Sequence, residues 1–477
     1  MTQPRPLSAA HTAWPGRIVP EGGWTATIVV NHGHTALRNA DTRIILPQPA
    51  SEGAATMMRA ATTFLSGFGL FIMIFTLNPF MGDVISEGDV GTTANVVNQI
   101  GYLGLGALFI FAMLASVAPR TLLKLISPSW LIIFAIAYFS CMQSYDPTAS
   151  ARGVTLSLVA MLMVAGVLVL PRSEKDFVEA CANAVLLLLV INYAALVLLP
   201  ERAVHQASAL ESWHAGYWRG HLSHKNVSAP VFSVLAMFGI YCIRSGARMR
   251  GWAITLLAVI FVLHTGSKTT IGFLPLAIGI VLCGSAIRSS GAIVIVHLCF
   301  AVLVACLTVG TIYSPSLLAM TAAVLDDPTF TGRDAIWQFA SDSIAAHPWF
   351  GHGYASFWQS PVIRGMEANF EADWDVRGIV SAHNTFLDAL LTFGIPGGGV
   401  IILLLFVKPL IDYIRTDRRS GSRNFSEFCI MVILFMTYNG MMESFILNRA
   451  DPQWMLLALA VFGLNMAARC NLRHNTD

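Results

Sequence analysis

Long apolar runs dominate this chain and leave it few places to fold other than a lipid bilayer. Twelve mainly apolar stretches lie at 61–80, 99–118, 126–144, 153–170, 177–199, 227–243, 251–266, 269–287, 292–313, 384–408, 427–446 and 452–469. Each is close to the roughly 20 residues that cross a hydrocarbon core as a helix. Charged residues make up 12% of the chain against 55% hydrophobic, about half the roughly 25% charge of a soluble domain. Inside a bilayer every backbone polar group has to be satisfied within helices or a closed barrel. The expected fold class is therefore an all-α polytopic membrane protein with about 12 transmembrane helices. Only the turn at Gly266–Ser267–Lys268 separates the seventh and eighth stretches, which leaves open two spans or one re-entrant hairpin. Residues 1–60 are polar and dotted with Pro and Gly. They read as a disordered cytoplasmic tail, with the first span as an uncleaved insertion signal.

Basic residues orient the chain, because short cytoplasmic loops collect Lys and Arg. With the N-terminus inside, one alternation of loops gathers Arg120 and Lys124, Arg172 and Lys175, Arg244, Arg248 and Arg250, Arg288, and then Lys408, Arg415, Arg418, Arg419 and Arg423. The tail adds Arg469 and Arg473, so both termini are expected in the cytoplasm. The expected organisation is a tail at 1–60, nine helices over 61–313, a large extracytoplasmic loop at 314–383, and three helices with a short tail over 384–477. A smaller outer loop spans 200–226. The large loop is acidic, with Asp326, Asp327, Asp334, Asp342, Glu367, Glu371, Asp373 and Asp375 against Arg333, Arg364 and Arg377. None of the eight cysteines (Cys141, Cys181, Cys242, Cys283, Cys299, Cys306, Cys429, Cys470) falls in that loop. Neither a disulfide framework nor a zinc site is expected.

Four polar clusters fall on the outer side. They are Arg219–Gly220 with His224–Lys225–Asn226; Thr265–Gly266–Ser267–Lys268–Thr269; Thr331–Gly332–Arg333–Asp334 continuing to Ile336–Trp337, His347–Pro348 and Gly351–His352–Gly353–Tyr354; and His383–Asn384 with Asp388 just beyond. Together they place Arg219, Lys225, Lys268 and Arg333 at the face where positive charge is normally scarce. An anionic ligand at headgroup level would offset it, and arginine grips phosphate oxygens with paired hydrogen bonds.

Each residue also has a plainer reading. Arg219 and Lys225 suit snorkelling to headgroups, Lys268 a solvated turn, and Arg333 an ion pair with a loop acid. His383 suits an interfacial polar position, and Asn384 a helix N-cap. Gly394, Pro396 and Gly397 to Gly399 mark a bend or a packing site. Gly266–Ser267–Lys268–Thr269 lacks the full spacing of a P-loop, and His347 and His352 lack a matched third metal ligand. Trp213, Trp218, Trp337, Trp349, Trp358 and Trp374 suit sugar stacking or an interfacial aromatic belt.

Taken together, these clusters resemble the O-antigen ligase and Wzy-type polysaccharide polymerase superfamily, with spacing most similar to its exopolysaccharide-polymerase branch. The matching stretches are Arg219-Gly220-x-x-x-His224-Lys225-Asn226, Gly266-Ser267-Lys268-Thr269, Thr331-Gly332-Arg333-x-x-Ile336-Trp337, His347-Pro348-x-x-Gly351-x-Gly353-Tyr354 and His383-Asn384-x-Phe386-Leu387. They cover roughly residues 200–400. Lys268 departs from the family, which usually has arginine there.

The resemblance implies a metal-independent, GT-C-like membrane glycosyltransferase of the bacterial inner membrane, with no cofactor. It would work on undecaprenyl-diphosphate-linked oligosaccharides as donor and acceptor, among membrane lipids, and with polysaccharide export and chain-length proteins as partners. Nucleic acid would play no part. In that scheme Arg219 and Arg333 bind the diphosphate and His383 is the general base of an inverting transfer. Lys225, Lys268, His224, Asn226, Asn384 and Tyr354 contact substrate. The alternatives are a ligase that delivers the glycan to lipid A–core and, in another class, a transporter of polysaccharide or lipid-linked sugar. A transporter places its ionisable groups at mid-membrane, whereas here they gather near one face.

Overall fold

The structure, a computed structural model, describes residues 52–80, 96–207, 214–366, 375–416, 423–448 and 451–469. Most of the expected N-terminal tail lies outside these residues, as do Trp213, Glu367, Glu371, Asp373, Trp374, Arg418, Arg419, Cys470 and Arg473.

The chain is built from helices. In order they are α1 (Glu52–Phe75), α2 (Val96–Ser116), α3 (Pro119–Leu125), α4 (Pro128–Ser140), α5 (Pro147–Val169), α6 (Glu174–Leu198), α7 (Pro200–Ala203), α8 (Lys225–Arg244) and α9 (Arg248–His264). There follow α10 (Lys268–Ala286), α11 (Ser290–Leu307), α12 (Pro315–Ala322), α13 (Arg333–Ala346), α14 (Pro361–Arg364), α15 (Thr385–Ile402), α16 (Lys408–Arg415), α17 (Arg423–Asn439) and α18 (Pro452–Arg469). Among the described residues no strand forms; one isolated bridge pairs Val204 with Trp218. Among the described residues, eight helices are long and apolar enough to cross a membrane: α1, α2, α5, α6, α8, α10, α11, and α15 continued through α16. Helices α4, α9, α17 and α18 occupy the other four expected positions. This is an all-α polytopic membrane protein. The 251–287 region forms two helices that turn away from each other, α9 along α8 and α10 along α17. Gly239 and Gly251 let α8 and α9 meet backbone to backbone.

A helix that is apolar all round belongs at the centre. Helix α17 is buried without a break from Phe425 to Asn439, and α18 from Pro452 to Ala467. Helix α11 instead turns most of its surface outward, with only Ile293, Val294 and His297 buried. The described segment 440–448, which follows the first of these central helices, therefore emerges in the middle of the face that carries the large loop.

The large loop folds into helices α12 to α14 with a core of its own. Trp337, Ala340 and Ile344 of α13 pack with Phe357, Ile363, Ala382, Leu387, Leu391 and Met442. Leu387 and Leu391 come from the first two turns of α15, so that stretch belongs to the loop rather than to the membrane bundle. The division is sharp because α15 breaks at Gly394 (φ 71°, ψ 170°). Pro396 has no N–H to offer Thr392 O, and Gly353 N fills that place at 3.1 Å. His352 N donates to Leu391 O at 2.9 Å, while Ile395 N turns to Pro348 O at 2.7 Å. A strap at 348–353 thus partners the Leu391 and Thr392 carbonyls and the Ile395 N–H across the break. The apolar run at 384–408, expected as one span, becomes a loop-side half-helix and a second piece from Ile395 through a π-helical turn at Leu403–Val407 to Arg415. At 1.5 Å per residue that second piece is about 31 Å long, the thickness of a hydrocarbon core. The expected 427–446 helix likewise stops at Asn439, where Gly440 opens a turn.

Gly394→Ala puts a Cβ 2.4 Å from Trp349 O at a backbone conformation reserved for glycine. It should destabilise by at least about 2 kcal/mol, read as a lower melting temperature and a smaller monodisperse peak in detergent. Gly399→Ala, with nothing within 4 Å of the new Cβ, should leave both unchanged.

Candidate functional site

Two of the sequence-nominated residues meet on a third that the sequence did not nominate. Glu443 lies four residues past the end of α17. Its Oε1 accepts from Arg333 Nη2 at 2.8 Å, and its Oε2 lies 3.3 Å from His383 Nδ1. Arg333 Nη1 also donates to Met442 O. The three side chains are mostly but not wholly buried, His383 the least.

Each is fixed by local structure. Arg333 is the first residue of α13, delivered by a turn in which Phe330, Thr331 and Gly332 all have positive φ (55°, 63° and 79°). An aromatic and a β-branched residue in that region are strained. Asp327 holds the turn: Oδ1 accepts from Thr329 N and Oγ1, and Oδ2 from Thr331 N. These bonds, the Thr329 hydroxyl foremost, keep the Asp327 carboxyl below its ordinary pKa. His383 is also in the left-handed region (φ 47°), two residues before α15. Asn384 caps that helix, its Oδ1 accepting from Phe386 N and Leu387 N while its Nδ2 donates to Met441 O. Thr385 N donates to Gly440 O and Glu443 O, and Asn384 N to Ser444 Oγ. The start of α15 is therefore laced to the 440–445 turn, which sets His383 against Glu443. Beside it, Asp388 accepts from Trp358 Nε1 at 2.7 Å and from Ala382 N.

Electrostatics follow from this geometry. Burial alone would raise the Glu443 carboxyl, but Arg333 and His383 outweigh it and hold the pKa at about 2. A carboxylate only accepts hydrogen bonds, so the proton between the two sits on His383 Nδ1. In a neutral ring that leaves Nε2 unprotonated and able to take a proton. Arg333, with five N–H donors, keeps several for another anion.

The remaining nominated residues are placed otherwise. Arg219 is 1% exposed, and its guanidinium donates to the carbonyls of Arg202, Ser223 and Glu201. Through these bonds it ties the 201–202 backbone to Ser223. Lys225 is buried with Nζ 4.2 Å from the centre of the Tyr217 ring. His224 caps α8, its Nδ1 accepting from Asn226 N; Asn226 is half-buried on that first turn. Lys268 is exposed at the start of α10. Tyr354 is buried, its hydroxyl donating to Leu447 O at 2.6 Å and its carbonyl accepting from Ser144 and Ser150. The two halves of the face adjoin. Trp218 stacks on His264 at 4.1 Å, and Thr270 Oγ1 reaches Asn439 Oδ1, at the root of the turn that carries Glu443. No group of His, Cys, Asp and Glu suited to a metal occurs among the described residues.

In the sequence Glu443 stands only as an ionisable residue near a helix end, not as a site residue, because its partners are 110 and 60 residues away. Its one signal was its isolation, as the lone acid in Met441–Met442–Glu443–Ser444 between two central helices.

Residues 253–402 match a family model, Wzy_C, described as O-antigen ligase. The matched stretch runs from α9 to the end of α15. It contains Lys268, Arg333, Tyr354, His383 and Asn384 and excludes Arg219, His224, Lys225, Asn226 and Glu443. It agrees with the O-antigen ligase and Wzy superfamily that the motifs resemble. The match supports a glycosyl-transferring membrane enzyme of the ligase or polymerase kind. No curated protein matches the chain.

The depressed Glu443 pKa carries a pH signature. A carboxyl lowered from its ordinary value of 4.5 contributes stability that is full above that value and lost only as the pH falls toward 2. Glu443→Gln should cost roughly 3 kcal/mol by leaving Arg333 without its counter-charge. The melting-temperature gap between the variant and the parent should be constant from pH 8 to pH 5. A gap that closes within that range would show a carboxyl with an ordinary or raised pKa.

Proposed function

We propose, from the O-antigen ligase match over residues 253–402, that this chain is a polymerase. It would join undecaprenyl-diphosphate-linked repeat units into exopolysaccharide at the outer face of the bacterial inner membrane, with both termini cytoplasmic. The observation that carries the proposal is the convergence of Arg333 and His383 on Glu443, above the point where the α15–α16 segment reaches membrane-spanning length.

The chemistry suits that convergence. An acceptor sugar hydroxyl attacks the anomeric carbon of the donor, and its proton passes to His383 Nε2. The bond from that carbon to the lipid diphosphate breaks, and the leaving diphosphate takes the electron pair. Negative charge grows on the diphosphate as the bond breaks, so a fixed guanidinium stabilises the transition state more than the ground state. Arg333 takes that role in this reading. Glu443 orients His383 and stabilises the imidazolium as it forms, a positioning role. Attack opposite the leaving group inverts the anomeric centre. In this reading no metal takes part, Arg219 shapes the loop beside the site, and the exposed Lys268 adds positive charge. Lys225, His224, Asn226, Asn384 and Tyr354 hold the walls of the substrate site. Chain-length and export proteins complete the machinery.

A second reading has one specific support, the description of the matched family: a ligase that transfers the glycan to lipid A–core. A deletion strain separates the two. Accumulated single lipid-linked repeats indicate the polymerase, and long lipid-linked chains beside uncapped core indicate the ligase. Unchanged glycans with altered movement of another solute would refute both in favour of a transporter. In a complemented strain, Arg333→Lys keeps the charge but loses the two-pronged grip, and product should fall at least 100-fold with normal membrane insertion. His383→Ala should abolish transfer while donor binding persists. Normal product from either variant removes that residue from the site.

A further inference from the structure

The strap that repairs the α15 break carries two large apolar side chains that find no place in either core. Trp349 is 71% exposed and Phe350 is 56% exposed. Their backbone is pressed against the break: a Cβ on Gly394 would lie 2.4 Å from Trp349 O and 2.7 Å from Phe350 N. Their depth is therefore the depth of Gly394, and directly beneath it begins the 395–415 piece whose length, about 31 Å, equals a hydrocarbon core. To one side the Phe350 ring sits 5.8 Å from Phe139 of α4. Leu131, Ile132 and Phe139 on α4 and Ile395 and Leu403 below the break are all exposed. On membrane-crossing helices such a surface faces lipid, and Trp349 and Phe350 continue it upward without interruption.

We propose that Trp349 and Phe350 enter the outer leaflet at the boundary between acyl chains and headgroups, binding glycerophospholipid and fixing the height of the strap. Indole suits that boundary because its ring is apolar and its N–H stays hydrated. The strap also donates from His352 N and Gly353 N to α15, so the anchor and the half-helix that follows His383 are one rigid piece. This placement rests on the membrane fold and on the proposed orientation of the chain, and stands whatever sugar chemistry that face performs.

Quenching in liposomes tests it. The full-length protein and Trp349→Phe are reconstituted in phosphatidylcholine brominated either near the glycerol end or near the methyl end of its chains. The emission difference between the two proteins isolates Trp349. Shallow bromines should quench that component at least twofold more than deep ones, and aqueous iodide should barely touch it. Strong iodide quenching without bromine quenching would overturn the proposal by placing Trp349 in water. Protection from both quenchers, with cross-linking between copies, would overturn it in favour of a self-association surface. Should Trp349→Phe fail to fold, Phe350→Trp read against the parent gives the same test, with the same results supporting or sinking it.

Discussion

A carboxylate cannot be buried alone, and the face of this protein that carries the large loop is organised around that constraint. Glu443 sits between the two most buried helices, where its charge would be costly without compensation. Arg333 and His383 supply that compensation from opposite ends of the large loop. Satisfying one acid thereby closes the loop on itself and docks it onto the 440–445 turn. The same contact gives the imidazole a fixed tautomer and the guanidinium a fixed direction. Structural need and chemical readiness coincide in one ion-pair network, while Asp327 within the loop holds the strained turn at Phe330 and Thr331 and the 440–445 turn holds His383.

Much of this was legible from the chain. Apolar runs report helices because the bilayer leaves backbone groups no other partner, and each of the twelve runs coincides with a helix. Asn384 as a cap and the Gly394–Pro396 region as a bend were also readable, since caps and breaks depend on a few adjacent residues. What stayed hidden is set by distance along the chain. The sequence shows that Pro396 leaves a carbonyl open, but not that Gly353 closes it. It shows Arg219 as one of the clustered basic residues, but not that three backbone carbonyls accept from its guanidinium. It offers Glu443 only as an isolated acid, because the residues that make it meaningful lie on other elements.

The basic residues of the 217–225 and 264–268 turns form the second half of the face. Their packing is dense: Trp218 on His264, Tyr217 against Gly266, and Arg219 under the 200–203 turn. His221 deepens this knot, held between Asn192 and Ile74, with burial lowering its pKa to about 4. That half is therefore a rigid, polar-lined wall beside the Arg333–His383–Glu443 network, which contributes the more accessible groups.

The loop core sets an order of assembly. Trp337 is sealed partly by Leu387, Leu391 and Met442, and Met442 is the last of these to leave the ribosome, 105 residues after Trp337. At roughly 5–20 residues per second, the loop waits about 5–20 s with its tryptophan uncovered. The part of the chain that emerges in mid-synthesis is thus finished only by its C-terminal end. A truncation just short of α17 would leave that apolar core without Met442, the residue that closes it.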